Sequence, residues 1–197
     1  MKWDDWNTAG GPKYPHEKVV QFVFRNFPPP QRRGVPALDL GCGSGVHTVM
    51  LADEGFDVVG VDISPIGVEN ARKRLAEKGL AGRLAVQDIT SLDVPANHFG
   101  LVVSMGVLDS AGPKAARSAI PKVKDLMAVG GRAMFVFASD RDFRVKGENP
   151  LNLHGYSRQE VANIFDVGFN ELFIDRYVTT YRGGQSEQND WLVTATK

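Results

Sequence analysis

The sequence contains one cysteine, Cys42, among its 197 residues, so an internal disulfide is excluded. A disulfide scaffold is therefore ruled out, and a reducing compartment is expected. Long apolar runs are also missing, because the longest run, Phe99–Leu108, has about half of the ~18 residues that a spanning helix needs. The polar, acidic start does not resemble a secretory leader. We expect a cytoplasmic protein with no membrane partner.

Excess charge of either sign is absent as well. The 23 basic and 23 acidic side chains cancel to a formal net charge of zero, which argues against a nucleic-acid partner, because such a surface needs clustered positive charge. The four histidines and the one cysteine show no metal-ligand spacing, so no metal site is expected. Glycine, in contrast, is abundant at 21 residues, which suggests many tight turns or close approach of the backbone to a ligand.

The chain divides in sequence at a proline run, Pro28–Pro30, which cannot continue a helix. We predict an N-terminal helical segment over residues 1–34 and one main domain over residues 35–197. Within the first segment, the apolar spacing predicts a helix over Tyr14–Phe27. The length and composition of the chain fit one globular core.

After the proline run, strand patterns alternate with helix patterns. Short apolar runs predict strands over Val35–Leu40, Asp57–Val61, Arg83–Val86, Phe99–Ser104, Arg132–Ala138, Glu171–Asp175 and Trp191–Thr196. Helices are predicted over Gly45–Glu54, from Ser64 to Gly79, over Lys114–Met127 with a kink or a late start at Pro121, and from Ser157 to Gly168. Gly130-Gly131 is predicted as a turn and Tyr181–Asn189 as a loop. This alternation predicts a doubly wound α/β fold with a mostly parallel sheet and helices on both faces.

A glycine-rich loop lies between the first predicted strand and the next helix, where residues Asp39–Gly45 read Asp-Leu-Gly-Cys-Gly-Ser-Gly. Glycines at this place let the backbone turn sharply and approach a ligand at the carboxyl ends of the strands. Asp62 ends the next strand, at a distance that suits a carboxylate accepting hydrogen bonds from both hydroxyls of a ribose. Asp88 ends the third strand, where it can accept from an adenine amino group while Ile89 covers the ring. The alternative is that Asp62 and Asp88 only cap the elements that follow.

At these residues the sequence resembles the class I S-adenosylmethionine-dependent methyltransferases. The segments that carry the resemblance are Ala37–Gly45, Val58–Ser64, Val86–Ile89, Phe99–Leu108 and Val129–Val136. The resemblance extends from Val35 to the C-terminus. It implies seven strands, of which the last is antiparallel and lies beside the fifth.

The resemblance also implies a cofactor, S-adenosyl-L-methionine, and a set of residues that bind it. The implied set is Asp39, Gly41, Cys42 and Gly43 at the methionine moiety, Asp62 with Ile63 at the ribose, Asp88 and Ile89 at the adenine, and Met105 beside the sulfonium. The family further suggests that the N-terminal segment, with Trp3, Trp6 and Tyr14, folds over the cofactor as a lid and that Tyr14 contacts the methionine end. The alternative is that these aromatic side chains only pack the first helix onto the sheet.

No fixed catalytic motif is visible. Methyl transfer from a sulfonium depends mainly on alignment of the reacting atoms, and a general base is needed only when the nucleophile holds its proton. Asp109, His154 and Tyr156 follow strand ends and are weak candidates for acid–base work. Each has a simpler interpretation, as a cap for Asp109, a solvated loop residue for His154 and a hydrophobic staple for Tyr156. Asp109 also falls where many relatives carry a histidine or an aromatic residue.

The sequence therefore predicts a methyltransferase that acts on an oxygen or a nitrogen of a small-molecule acceptor, as a monomer or a homodimer. The neutral charge and the lack of an added recognition domain favour a small acceptor. Two alternatives remain open at this point. An NAD-dependent oxidoreductase shares the glycine loop and the ribose acid, but its loop normally reads Gly-x-Gly-x-x-Gly, whereas position 46 is Val46. A non-catalytic cofactor-binding module would bind the same ligand without turnover.

Overall fold

A seven-stranded sheet forms the centre of the computed structural model, which describes residues 2–9 and 11–197, without the side chain of Lys2. The strands are β1 (Pro36–Leu40), β2 (Asp57–Asp62), β3 (Arg83–Val86), β4 (Phe99–Met105), β5 (Met127–Ala138), β6 (Glu171–Tyr181) and β7 (Ser186–Thr196). The helices are α1 (Lys2–Thr8), α2 (Glu17–Asn26), α3 (Val46–Asp53), α4 (Pro65–Glu77), α5 (Leu108–Ala111), α6 (Pro113–Leu126) and α7 (Arg158–Phe165). Short 3₁₀ turns span Phe143–Val145 and Arg182–Gly184.

The strand order is β3-β2-β1-β4-β5-β7-β6. Every neighbouring pair is parallel except those of β7, which runs antiparallel to β5 on one side and to β6 on the other. The chain leaves β1 toward β2 and β3 and later returns to the other side of β1 as β4. The gap between β1 and β4 is therefore the switch point where ligands bind in such sheets. The predicted doubly wound, mostly parallel fold is confirmed, with the last strand antiparallel beside the fifth.

Helices cover both faces of this sheet, and β5 shows why. Its side chains alternate, so Phe135 and Phe137 enter one apolar cluster together with residues of α6 and α7. Met134 and Val136 point the opposite way, into a second cluster that includes residues of α2 and α3. A strand that is apolar on both faces must be covered on both faces, which accounts for the two helical layers.

The N-terminal 34 residues do not form one unit in packing. Helix α2 inserts Val19 and Val23, both buried, into the cluster on the α3 face of the sheet. Helix α1 packs instead on α4 and lies next to the loop that follows β1. Helix α1 is therefore a covering helix, whereas α2 belongs to the core of the sheet domain.

Two predicted helix starts have the expected side-chain caps. The Ser64 hydroxyl accepts a hydrogen bond from the Gly67 N–H at 3.1 Å, and Pro65 follows in the first turn. At α7, Ser157 and Glu160 form a reciprocal capping box. Caps of this kind satisfy N–H groups that have no partner within the helix.

The structure corrects several predicted boundaries. The predicted loop Tyr181–Asn189 is wrong, because β6 and β7 continue as a hairpin in which Tyr181 pairs with Ser186. The strands of this hairpin carry polar side chains, both exposed and, at Asn189, buried, so no alternating apolar pattern marks them in the sequence. The predicted turn at Gly130-Gly131 lies inside β5, beside a shift in the β4–β5 register. Helix α6 runs without a break through Pro121, and α2 begins at Glu17 rather than at Tyr14.

Among the residues that the structure describes, no helix combines the length and the apolar character required to cross a membrane.

We expect the stability of the fold to be most sensitive to substitutions in the central strands. Leu101 of β4 is fully buried, so Leu101→Ala is expected to lower the free energy of unfolding by about 2–5 kcal/mol, through lost burial and the cavity that remains. Val129→Ala is the control, because Val129 is 86% exposed, and we expect a change within about 0.5 kcal/mol. Urea unfolding followed by circular dichroism measures both. Equal losses in the two variants would contradict the description of this core.

Candidate functional site

A cavity of about 480 Å³ opens at the carboxyl ends of β1, β2 and β4, beside the switch point of the sheet. Four groups of residues surround it. The lining consists of Trp3, Trp6, Asn7 and Pro12 from the N-terminal segment, Gly41, Cys42, Gly43, Ser44 and Val46 after β1, Asp62, Ile63, Asp88 and Ile89 after β2 and β3, and Met105, Gly106, Val107, Ser110, Ala111 and Ala115 after β4. Most of the predicted cofactor residues are therefore brought together in one place.

The loop after β1 needs glycine for space as well as for conformation. Gly41 has a φ of 76°, and a Cβ added there would lie 2.1 Å from Cγ2 of Val107. Gly45 has a φ of 82° and packs against Ala71 of α4, where an added Cβ would meet the backbone at 2.8 Å. Both conformations and both contacts are unfavourable for any larger residue. The loop can consequently fold tightly between β4 and α4 and face the cavity with its backbone.

Asp62, at the end of β2, ties this loop to the sheet. Its Oδ2 accepts a hydrogen bond from the Gly43 N–H at 2.8 Å, and its Oδ1 accepts from the Ser64 N–H at 2.8 Å. Burial raises the pKa of Asp62, and these two N–H groups oppose that effect. Each carboxylate oxygen has a second lone pair, and the residue lines the cavity, so it can accept hydrogen bonds from a ligand while it holds the loop.

Asp39 is predicted to contact the cofactor, but the structure places it behind the loop and not on the cavity. Its carboxylate is buried and accepts a hydrogen bond from the Thr48 hydroxyl at 2.6 Å. Burial raises its pKa to about 7, and the nearby Asp62 adds to the effect. Asp39 therefore joins β1 to α3 beneath the loop, because its side chain faces the helix.

Cys42 lines the cavity, but its thiol is buried. Burial raises the pKa of that thiol well above its usual value. Since the thiolate is the reactive form, this cysteine is a small packing residue of the loop rather than a nucleophile.

Asp88 and Ile89 form the far end of the cavity, after β3. The Asp88 side chain is exposed, and its Oδ1 accepts from both the N–H and the hydroxyl of Thr90, at 2.8 and 2.7 Å. These hydrogen bonds, led by the Thr90 N–H, lower the pKa of Asp88. The arrangement fits the capping interpretation and leaves Oδ2 for a ligand. Ile89 is buried and offers an apolar surface beside it.

Helix α1 supplies an aromatic wall, through Trp3 and Trp6. Two contacts hold the helix in place, since the Ser64 hydroxyl donates to Asp4 Oδ1 at 2.6 Å and the Asn70 amide donates to the Asn7 carbonyl at 2.8 Å. Both partners come from the segment that follows β2 and from α4, so the wall is attached to the same elements that build the cavity.

Tyr14 is predicted at the methionine end, but it does not line the cavity. Its side chain is 81% exposed, because the chain turns outward between α1 and α2. The turn is fixed by His47 of α3, whose Nε2 accepts from the His16 N–H at 3.0 Å. Burial lowers the pKa of His47 to about 4. The ring is therefore neutral at neutral pH, and its Nε2 can accept this hydrogen bond.

The three acid–base candidates, Asp109, His154 and Tyr156, also lie outside the cavity lining. Asp109 is buried beneath the segment that follows β4. The buried Tyr156 hydroxyl donates to the carbonyl of Leu108 at 2.8 Å, and His154 Nε2 lies 3.1 Å from a carboxylate oxygen of Glu160. Each is engaged by the protein's own groups, which makes them supports of the fold at this point. The hydrophobic-staple interpretation of Tyr156 omits this hydroxyl contact.

Several cavity residues were not predicted from sequence. Asn7 lies on the buried side of α1, and its amide donates to the Trp3 carbonyl of the same helix at 2.7 Å. Val107, Ala111 and Ala115 are small apolar residues with no local signal that distinguishes them from core residues. Their spacing after β4 was the only clue, because the segment that follows a central parallel strand meets the switch point.

Among the described residues, no group of three or more histidine, cysteine, aspartate or glutamate side chains is arranged to hold a metal ion.

The chain is similar in sequence to known methyltransferases. A family model described as a methyltransferase domain matches residues 37–131. The magnesium-protoporphyrin O-methyltransferase of Rhodobacter capsulatus is 39% identical over 90 residues, which are 46% of this chain and 40% of the relative. The ubiquinone biosynthesis O-methyltransferase of Coxiella burnetii is 30% identical over 143 residues, which are 72% of this chain and 59% of the relative.

A solved structure agrees in fold. The magnesium protoporphyrin IX methyltransferase of Synechocystis PCC 6803, with bound S-adenosylmethionine, superposes with a TM-score of 0.73 at 20% identity, over 100% of this chain and 91% of that one. The two curated relatives are longer than the matched region, since the chain spans 40% of the first and 59% of the second.

Asp39 gives a prediction about stability and pH. Its folded pKa of about 7 lies above the ordinary value of 3.8, so the folded chain retains a proton that the unfolded chain releases. The stabilisation from this proton is present at low pH and is lost as the pH rises through about 7. Asp39→Asn keeps an acceptor for Thr48 without the charge. We therefore expect the variant to gain stability relative to the parent between pH 5 and pH 8.

Urea unfolding at both pH values measures this difference. Asp57→Asn is the matched control, because Asp57 lies at the exposed start of β2 and pairs with Arg83. A stability difference between Asp39→Asn and the parent that stays constant with pH would show that the buried carboxyl does not titrate in this range.

Proposed function

We propose that the chain is a class I S-adenosylmethionine-dependent methyltransferase, which transfers a methyl group from S-adenosylmethionine to an oxygen or a nitrogen of a small-molecule acceptor. One observation carries the proposal. The glycine loop after β1 and carboxylates after β2 and β3 line the same cavity at the switch point. A loop that served only as a turn would not need acids at two successive strand ends around an open space.

The residues present fit this cofactor. The backbone at Gly43 faces the cavity, and an added Cβ there would meet only Asn7, at 3.5 Å, so the loop leaves room for a ligand to approach. Asp62 retains free lone pairs for the hydroxyls of a ribose, and Asp88 retains Oδ2 for an amino group. Ile63, which is 40% exposed, and Ile89 supply apolar surface. Together these are the groups that an adenosyl moiety requires.

When bound, S-adenosylmethionine supplies a methyl group on a positively charged sulfur. In the proposed function the protein's task is positioning. Gly41 to Gly43 would contact the methionine end with their backbone, Asp62 would orient the sugar, and Met105 would lie on the side of the sulfur. Trp3 and Trp6 exclude water on the outer side, and an aromatic face can stabilise a nearby cation. Since none of the three acid–base candidates lines the cavity, the proposal assigns no general base.

The acceptor is proposed to be small and largely apolar. The two curated relatives are O-methyltransferases by name, one for magnesium-protoporphyrin and one within ubiquinone biosynthesis. The wall of the cavity formed by Trp3, Trp6 and Pro12 would contact such a molecule with apolar surface. The zero net charge of the chain supports a small acceptor over a nucleic acid.

Calorimetry tests the cofactor, and mass spectrometry tests the transfer. We expect S-adenosylhomocysteine to bind with micromolar affinity and NAD not to bind. NAD binding without S-adenosylhomocysteine binding would support the oxidoreductase alternative and overturn the proposal. Incubation with S-adenosylmethionine and a metabolite extract is expected to yield a product about 14 Da heavier than its precursor, because methyl transfer replaces a hydrogen by a methyl group. Cofactor binding with no product in any extract would favour the non-catalytic module.

Asp62 provides the sharpest test of the ribose contact. Asp62→Ala is expected to weaken binding of S-adenosylhomocysteine by about 1–3 kcal/mol, or roughly 5- to 150-fold, because the hydroxyl donors lose a charged acceptor. Asp57→Ala, at the other end of the same strand, is the control and is expected to bind like the parent. Calorimetric titration measures both, and an unchanged affinity in Asp62→Ala would refute the ribose assignment.

A further inference from the structure

The segment that follows β4 forms one wall of the cavity. Gly106, Val107, Ser110 and Ala111 line it, and Gly106 takes a left-handed φ of 68° that starts the turn into α5. A wall made of a turn and a four-residue helix has little internal support, so its position depends on contacts from behind. If the proposed function is correct, this wall faces the cofactor.

Two residues of this segment do not line the cavity, the apolar Leu108, which joins the core, and the charged Asp109. Its side chain is 2% exposed. One carboxylate oxygen accepts from the Ser110 N–H at 3.0 Å, within the segment. The other oxygen accepts from the N–H of Ala138 at 3.0 Å, at the end of β5. A single side chain therefore joins the cavity wall to the neighbouring strand.

Two further contacts reach the same segment from the chain that follows β5. The Tyr156 hydroxyl donates to the Leu108 carbonyl at 2.8 Å, and the N–H of His154 donates to the Asp109 carbonyl at 2.8 Å. Tyr156 itself continues the strand edge, since its N–H donates to the Ala138 carbonyl. The wall, the end of β5 and the segment before α7 thus form one hydrogen-bonded unit centred on Asp109.

Burying a carboxylate at this position is energetically unfavourable. Burial raises the pKa of Asp109 to about 6, and none of the salt bridges found in the described part of the chain includes it. The cation that stabilises it at longer range, Arg144, is already bonded to Asp142 and Asp190. A neutral residue would avoid the cost of burying a charge. Only a carboxylate, however, can accept from both N–H groups with two separate oxygens.

We propose that Asp109 is a positioning residue, which fixes the Gly106–Ala111 wall in the shape that binds the cofactor by joining it to the end of β5. This role requires a side chain with two hydrogen-bond acceptors at position 109. An asparagine has the same shape but presents an NH₂ group to one of the two N–H donors, so one of the two tethers is lost and the wall is released from β5 or from its own turn. The fold around it keeps its apolar contacts, and it loses the buried charge.

This role of Asp109 depends on the proposed function. Its test measures the affinity for S-adenosylhomocysteine and the stability of the fold separately. Asp109→Asn is expected to weaken S-adenosylhomocysteine binding about tenfold by calorimetry, while the melting temperature stays within about 3 °C of the parent. Tyr156→Phe removes the neutral tether to Leu108 and is expected to weaken binding about threefold.

Asp142→Asn is the matched control. Asp142 is also a fully buried aspartate that accepts from two backbone N–H groups, those of Asn189 and Arg144, but it does not touch the wall. We expect this variant to melt at a lower temperature than the parent and to bind S-adenosylhomocysteine with the parent's affinity at a temperature where it is folded.

Binding by Asp109→Asn within twofold of the parent would overturn the proposal, whatever its melting temperature. Equal losses of affinity in Asp109→Asn and Asp142→Asn would also overturn it, because general destabilisation would then explain both. If Asp109→Asn does not fold, Tyr156→Phe decides, with threefold weaker binding at an unchanged melting temperature in support and unchanged binding against. An unmodified chain that does not bind S-adenosylhomocysteine would refute the proposed function itself, and the role of Asp109 with it.

Discussion

The cavity depends on how the loop after β1 is held against the end of β2. The carbonyl of Val61 accepts hydrogen bonds from the N–H groups of Gly41 and Cys42 at 2.8 and 2.9 Å, and the Asp62 side chain accepts from Gly43. Backbone N–H groups must find partners when they leave water, and here two adjacent residues of β2 satisfy three of them. These hydrogen bonds restrict a loop whose glycines are intrinsically free, and a loop restricted in advance can present its remaining surface to a ligand at little entropic cost.

The other walls of the cavity are secured by the same means, each from outside its own element. Helix α1 has seven residues, which is too short to be stable alone in water, and contacts from Ser64 and Asn70 hold it over the loop. The turn after β4 is held by Asp109 and Tyr156. The cavity is consequently an assembly of short elements whose positions are coupled, and a substitution behind one wall can change the site without touching a ligand.

Local sequence patterns predicted the elements that lie on the sheet and failed where structure depends on distant pairing. The apolar runs of β1 to β5 and the caps at Ser64 and Ser157 carry their own signals, because burial and orphan N–H groups act on neighbouring residues. The extension of β6 and β7 has no such local signal. Its paired residues, Thr179 and Gln188, are polar, and they are strand residues because the two segments pair with each other. Asp39 and Tyr14 illustrate the same limit, since the family pattern does not say where their side chains point, and neither lines the cavity.

The sequence by itself determined the order of strands and helices, the glycine loop, and the acids at the ends of β2 and β3. These follow from spacing along one chain, which short-range sterics and apolar burial translate directly into structure. Only the tertiary structure decided that Trp3 and Trp6 line the cavity while Tyr14 turns away from it, and that the buried Asp109 carboxylate joins the segment after β4 to the end of β5. Those outcomes depend on hydrogen bonds between elements that are far apart in the sequence. Such hydrogen bonds produce no periodic pattern of residues, so the sequence does not reveal them.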